Sequence, residues 1–229
     1  MAKKKATAPT QVEANVGEIF SRSERFIETY KNYIIYAVIA VVLIVVAILG
    51  IRHFYFVPKE KEAQAAIYPG ENYFERQQWE VALNGNGVDY IGFLGIIDDY
   101  GITKTAKLAK VYAGICYYHL NQPEEALSFL KKADINDNIV SPIIKGIIGD
   151  CYVDLGNVEE GIKYFNKAAS ELNNELSSTY LKKAGRAYEH LKDFDNAIKA
   201  YQTIKDKYSP SADEISEIDR YIERSKLQR

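Results

Sequence analysis

The sequence predicts an all-α chain: a single N-terminal transmembrane helix, then a solenoid of paired helices, closed by a C-terminal capping helix. Three observations predict it. Residues 33–51, YIIYAVIAVVLIVVAILGI, are 19 residues without a charge. Downstream, a glycine–tyrosine–small–large pattern recurs three times at nearly constant spacing. The last 19 residues, SADEISEIDRYIERSKLQR, put an apolar stripe on an otherwise charged helix.

As a helix, the apolar run would extend about 28 Å, close to the hydrocarbon thickness of a bilayer. Leu, Ile, Val and Ala fill it on every side, so no face is reserved for a soluble core. Tyr30, Tyr33 and Tyr36 border one end, and Phe54, Tyr55 and Phe56 the other, where amphipathic rings settle at a membrane interface. The run is too long for a cleaved signal peptide and no small-x-small site follows it, which reads as an uncleaved signal anchor. Six basic residues precede it (Lys3, Lys4, Lys5, Arg22, Arg25, Lys31), and Arg52, Lys59 and Lys61 follow. That bias predicts residues 1–32 as a cytoplasmic stub, 33–57 as the anchor and 58–229 as a domain outside the cytoplasm. In a cell with two membranes, this means a single-pass inner-membrane protein with a periplasmic domain. Residues 1–10 read as a polar tail. Val12, Val16, Ile19, Phe20, Phe26, Ile27 and Tyr30 then recur at helical spacing, as in an amphipathic helix lying on the membrane or docking to a membrane partner; a solvated linker is the alternative. Pro58 should kink or restart the helix.

Next come the repeats. AGICYYHLNQPEEALSFLKKA (113–133), IGDCYVDLGNVEEGIKYFNKA (148–168) and AGRAYEHLKDFDNAIKAYQTI (184–204) align without gaps. Their glycines, Gly114, Gly149 and Gly185, are 35 and 36 residues apart. Three residues after each comes Tyr117, Tyr152 or Tyr188; twelve after, Ala126, Gly161 or Ala197; sixteen after, Leu130, Phe165 or Tyr201. A small residue lets two helices approach, and an aromatic fills the gap beside it. Pro123 suits a first helical turn, Asn157 with Glu160 a capping box, and Asp193 an N-cap. This resembles the tetratricopeptide repeat, a helix–turn–helix unit, which implies repeats at about 107–140, 142–176 and 178–210. A weaker unit at about 63–104 precedes them. Gly70, Tyr73 and Ala82 keep the spacing, but the interval to Gly114 is 44 residues. Its second helix is expected to break at residues 84–87 and resume near 93–100; a β-hairpin at the Asn-Gly pair is the alternative. Ser211 and Glu214 then open a capping helix over 211–227, whose stripe of Ile215, Ile218, Tyr221 and Ile222 covers the last repeat.

The chain of 229 residues carries a net charge of −2. Outside the stub, 23 basic residues face 27 acidic ones, which argues against nucleic acid as a partner. No catalytic constellation, cofactor motif or small-molecule site is legible, so no enzyme is expected. His119 and His190 share a register two repeats apart, too far for one metal site; His53 lies at the membrane border. Cys116 and Cys151 share a register that wants a small buried residue, so two unpaired structural thiols are expected.

The order of stub, span and repeat domain looks like the YfgM-like ancillary subunits of the Sec translocon. That resemblance implies a membrane-anchored binding module at the export site, helping to pass translocated polypeptides to periplasmic chaperones. Its partners would be the translocon, exported chains and chaperones. A structural scaffold for a division or outer-membrane assembly complex is the alternative, and a cytosol-facing adaptor a third reading. In either role the first helices of successive repeats should line a groove. The register assigns to it Leu108, Val111, Ile115 and Tyr118; then Ile143, Asp150, Val153 and Asp154; then Lys182, Arg186, Glu189 and His190. Either a partner docks there, or residues 84–100 fold over it.

Overall fold

The computed structural model describes residues 11–171, 175–208 and 211–229. The polar tail expected at 1–10 lies outside them, and the side chains of 12–27, which would make up the expected amphipathic face, are likewise not described. The chain divides into two compact units at Val57/Pro58. In the first, helix α1 runs from Gln11 to Ile51 and a π-turn follows at Arg52–Phe56. Its Val, Ile and Leu side chains from Ile34 onward are exposed, with no protein packed on them. Among the described residues, this apolar stretch makes the one helix long and apolar enough to cross a membrane. Pro58 offers no N–H, and its ring crowds the carbonyl four residues back. The backbone widens to relieve it: Val57 N–H bonds to Arg52 O, five residues back.

The second unit is a tetratricopeptide-type helical solenoid. Helix α2 (Val57–Glu75) is the first helix of the first pair, and it runs through Pro69. Its partner is broken into α3 (Trp79–Asn84) and α4 (Gly92–Asp99). Three regular pairs follow: α5 (Lys104–His119) with α6 (Pro123–Lys132), α7 (Val140–Asp154) with α8 (Val158–Glu171), and α9 (Glu175–His190) with α10 (Phe194–Lys207). Helix α11 (Ala212–Gln228) closes the unit. Among the described residues there is no strand. The Asn-Gly segment is a loop, not a hairpin. Asn86 Oδ1 accepts from the backbone N–H groups of Val88, Asp89 and Tyr90, and that side chain holds the loop.

The glycine register has a direct steric cause. A Cβ built on Gly114, Gly149 or Gly185 would stand inside 3.0 Å of Leu130, Phe165 or Tyr201 respectively. Each large residue of a second helix is seated on the bare backbone of the first. In the irregular first pair Gly70 does the same for Tyr90 and Phe93, supplied by the loop and α4. The late large residue therefore arrives from a different element, and Tyr73 stacks on Tyr90 with centroids 5.6 Å apart.

The turns inside the pairs also repeat. Gln77, Asn121, Gly156 and Lys192 each sit seven residues after their glycine, with φ of 58°, 57°, 77° and 60°. In each, the next residue's N–H bonds back to the pattern tyrosine's carbonyl: Gln78 to Tyr73, Gln122 to Tyr117, Asn157 to Tyr152 and Asp193 to Tyr188. This is the Schellman closure of a helix end. Helix starts follow the sequence as well. Pro123 opens α6, and the Asp193 side chain accepts from Asn196 N–H. Ser211 accepts from Glu214 N–H, while the Glu214 carboxylate reaches across to Lys182 of α9 at 3.5 Å.

Between pairs, the core is a chain of clusters. One joins α2, α3, α4 and α5, another α5, α6 and α7, and a third α8 to α11. Ile218 and Ile222 of α11 are buried in the last, and Arg224 and Ser225 bond Glu189 of α9. Cys116 and Cys151 are buried and free, and burial pushes both thiols up to about 12. A contact with no sequence signature links α2 to α5. Glu60 accepts from the backbone of Lys104 (2.7 Å) and Thr105 (3.2 Å), and from the Thr105 hydroxyl (2.8 Å). Burial opposes its charge, but these hydrogen bonds outweigh it and hold the carboxyl below its ordinary value.

Two outcomes are expected. Gly149→Leu forces a side chain into the Phe165 ring, and overpacking of this kind costs about 1–3 kcal/mol. The melting temperature, followed by circular dichroism on the full chain in detergent, should fall; an unchanged value would refute the glycine register. Lys192→Gly removes a left-handed, β-carbon-bearing residue and should stabilise by about 1 kcal/mol. The same melt should rise by about 2–4 °C.

Candidate functional site

The first helices of the pairs, α5, α7 and α9, each present one face toward the next pair, and the groove residues expected from the register distribute along it unevenly. Leu108 is half-buried in the α2–α5 cluster, against α3 and α4. Val111 is only 5% exposed and belongs to the α5–α7 core. It is a packing residue, and the helical column that named it was one position too wide. Ile115 is half-buried against that core, as is Ile147 of α7. Ile143 is half-buried. Residues 84–100 occupy the second-helix place of the first pair and cover Leu108, with Ala109, Ala113 and Cys116 beneath them.

Farther along the helices, the side chains line open cavities. Tyr118, His119, Asn121, Pro123 and Asp154 surround about 420 Å³ where α5 and α7 end. Asp150, Val153, Arg186 and His190 come together around about 260 Å³ between α7 and α9, over Val158, Phe165 and Ala187. Lys183 completes that rim. Its Nζ bonds Asp150 at 2.5 Å and lies 5.8 Å from the centre of the Phe165 ring. Lys182 turns the other way, toward α11, with Glu214 at 3.5 Å and Glu217 at 3.6 Å. Glu189 is likewise taken by α11. Arg186 donates to the Tyr221 hydroxyl at 2.7 Å and lies over that ring. Thus Tyr118 and Asp154 form one group, and Asp150, Val153, Arg186 and His190 another. Lys182 and Glu189 serve the cap.

Electrostatics follow burial. Burial pushes the Asp150 carboxyl up, against the downward pull of the Lys183 hydrogen bond, and the nearby charge of Asp154 adds to the rise. Tyr118 is pushed up to about 12, first by burial and then by the charges of Asp150 and Asp154. Both carboxylates therefore act on the ring of the preceding repeat. Ile115 and Ile147 occupy the offsets one repeat before Asp150 and Lys183, so an apolar cross-repeat pair gives way to an ionic one. Sequence reasoning missed Lys183, although an acid and a base 33 residues apart, close to one repeat, are a usable signal. It also missed the partner of His119: the chain's one tryptophan, Trp79, stacks on it at 4.2 Å and 6°. Among the described residues, no group of three His, Cys, Asp or Glu side chains could hold a metal ion.

A tetratricopeptide repeat model matches residues 147–212, which run from α7 through α10 to the start of α11. No curated protein matches the sequence. Among solved structures, the chain is similar to a MamA protein crystal structure: 16% identity and a TM-score of 0.52, over 72% of this chain and 91% of that one. A second MamA crystal structure is 21% identical with a TM-score of 0.41, over 59% and 88%. PilF of Pseudomonas aeruginosa is 14% identical with a TM-score of 0.41, over 75% and 91%. The first of these likenesses speaks for the fold. The class defined is a tetratricopeptide-type protein-interaction module, a fold that generally serves as a non-catalytic scaffold.

The Asp150 rise gives a pH test. A raised folded-state value means that the wild type loses stability as pH climbs from the ordinary carboxyl range through that value. Asp150→Asn has no such loss. The difference in melting temperature, variant minus wild type, should therefore be larger at pH 7 than at pH 3.5. The reverse order would mean that Lys183 outweighs burial.

Proposed function

We propose that this chain is a membrane-anchored protein-binding module whose α5–α7–α9 face docks an extended segment of a protein partner. The observation that carries this reading is the pair of open cavities along that face, bordered by the exposed Asp154, Arg186 and His190. A helical-repeat fold supplies such a face without catalytic machinery. The apolar helix near the N-terminus supports the anchoring. The order of basic stub, apolar helix and repeat domain supports the finer reading, in which the anchor sits in the inner membrane, the stub faces the cytoplasm and the domain lies in the periplasm. There it helps to pass translocated polypeptides from the Sec translocon to chaperones.

The test is photo-crosslinking in intact membranes. A photoreactive residue placed at Asp154 or His190 should capture proteins, and one at Gln202, exposed on α10, should not. Translocon subunits together with a chaperone are the expected captures. Division or outer-membrane assembly proteins would replace the export reading by a structural scaffold. Equal capture from Gln202 would refute the docking face.

A further inference from the structure

Only a short piece of chain separates Phe56, the last aromatic bordering the apolar helix, from Glu60 in the first turn of α2. The connection is helical, and four residues of helix rise about 6 Å. Fully extended, the same four residues would span about 14 Å at most. The headgroup layer on each side of the hydrocarbon is about 5–8 Å deep. By chain length alone, whatever is bonded to Glu60 lies in the headgroups or just above them.

What is bonded to Glu60 is the turn between α4 and α5. Glu60 accepts from Lys104 N–H at 2.7 Å and from the Thr105 hydroxyl at 2.8 Å. Lys59 Nζ stands 5.0 Å from the centre of the Tyr100 ring. Farther up, the Tyr112 hydroxyl donates to Glu71 at 3.2 Å. The partners climb together along both helices, so α2 and α5 run in the same direction. Residues just before Lys104 accordingly lie toward the Pro58 end. Ile102 is there and is 54% exposed, an apolar side chain with little protein around it. Lys104 beside it is exposed, and its long stem can snorkel to a phosphate. The next turn along this edge is tied to α5 by Lys107 and Asp134 at 2.8 Å, and it exposes Ile139 at 61%. Glu62, Asp98 and Asp99 are exposed near the first turn and offset its lysines, so apolar contact rather than net charge is the drive.

We propose that the turn at residues 100–104 is a second membrane contact of the repeat domain, with Ile102 seated among the lipid headgroups and Lys104 reaching a phosphate. This rests on the membrane anchoring proposed above. The occupant is the lipid surface itself. About 6 Å of helical connection leaves no room for a protein layer, whose thinnest element, a helix, is about 10 Å across. The contact also sets the height of the open cavities. Helix α5 has 16 residues, so its far end, where those cavities lie, stands about 24 Å farther along its axis.

Fluorescence quenching on the full chain, reconstituted in phosphatidylcholine vesicles, decides it. A nitrobenzoxadiazole label on Ile102→Cys is compared with the same label on Glu124→Cys, just past the far end of α5, and on Leu43→Cys within the apolar helix. Cys116 and Cys151 are buried, and the unsubstituted chain corrects for any label they take. A nitroxide carried by the lipid near its headgroup should remove most of the emission at position 102 and leave that at position 124. With the label moved to Asp99→Cys, the added change Ile102→Asp should restore most of the emission lost there; both sites are exposed, and circular dichroism checks the fold. Equal emission at positions 102 and 124 overturns the proposal, as does quenching at position 99 that survives Ile102→Asp. A label at position 102 that is blue-shifted but not quenched means that protein covers the turn, which also overturns it. Quenching by a nitroxide deep in the acyl chains at position 43, with none by either nitroxide at position 102, strikes this contact alone. No quenching at either position strikes the anchoring itself.

Discussion

The repeat unit depends on one contact, the seating of a large side chain of each second helix on the glycine of its first helix. Gly114, Gly149 and Gly185 receive Leu130, Phe165 and Tyr201, so the two backbones come closer than any side chain would allow. Tyr201 and Leu130 are consequently almost fully buried. The left-handed turns at Asn121, Gly156 and Lys192 have the same origin. A helix that must reverse within a few residues to keep that contact ends in a Schellman closure. Gln77 adopts it too, which marks α2 as a true first helix although its partner is broken.

The broken partner shows how much freedom the contact leaves. Gly70 needs something large above it, and the chain supplies Tyr90 and Phe93 from outside the regular register. The nine extra residues are absorbed by a loop that Asn86 holds. The consequence reaches the interaction face. Because α3 and α4 lie against Leu108 and Ala109, the early part of α5 is covered, and the open surface begins near Tyr118. At the opposite end, α11 draws Lys182, Arg186 and Glu189 into contacts of its own. The cap therefore does two things: it covers the apolar edge of α9 and α10, and it sets where the open face stops.

What remains between these limits is short and electrically uneven. Asp150 is answered across the repeat boundary, and Asp154 and His190 are exposed.

The sequence by itself determined the apolar helix, the repeat register, the helix starts at Pro123, Asp193 and Ser211, and the stripe of α11. These are local facts, fixed by periodicity, capping and the contact between a helix and its immediate neighbour. The tertiary structure decided the rest. It put Val111 in a core, although Val111 shares a helical column with the half-buried Leu108, Ile115 and Tyr118, because a column's edge is buried or open according to the next repeat. It brought Glu60 to Lys104 and Thr105, Lys183 to Asp150, and Trp79 to His119. Each of these pairs joins residues more than 30 positions apart. Helical periodicity fixes which face a residue occupies on its own helix. How one pair rotates against the next depends on the volumes packed between them, and no single repeat encodes that.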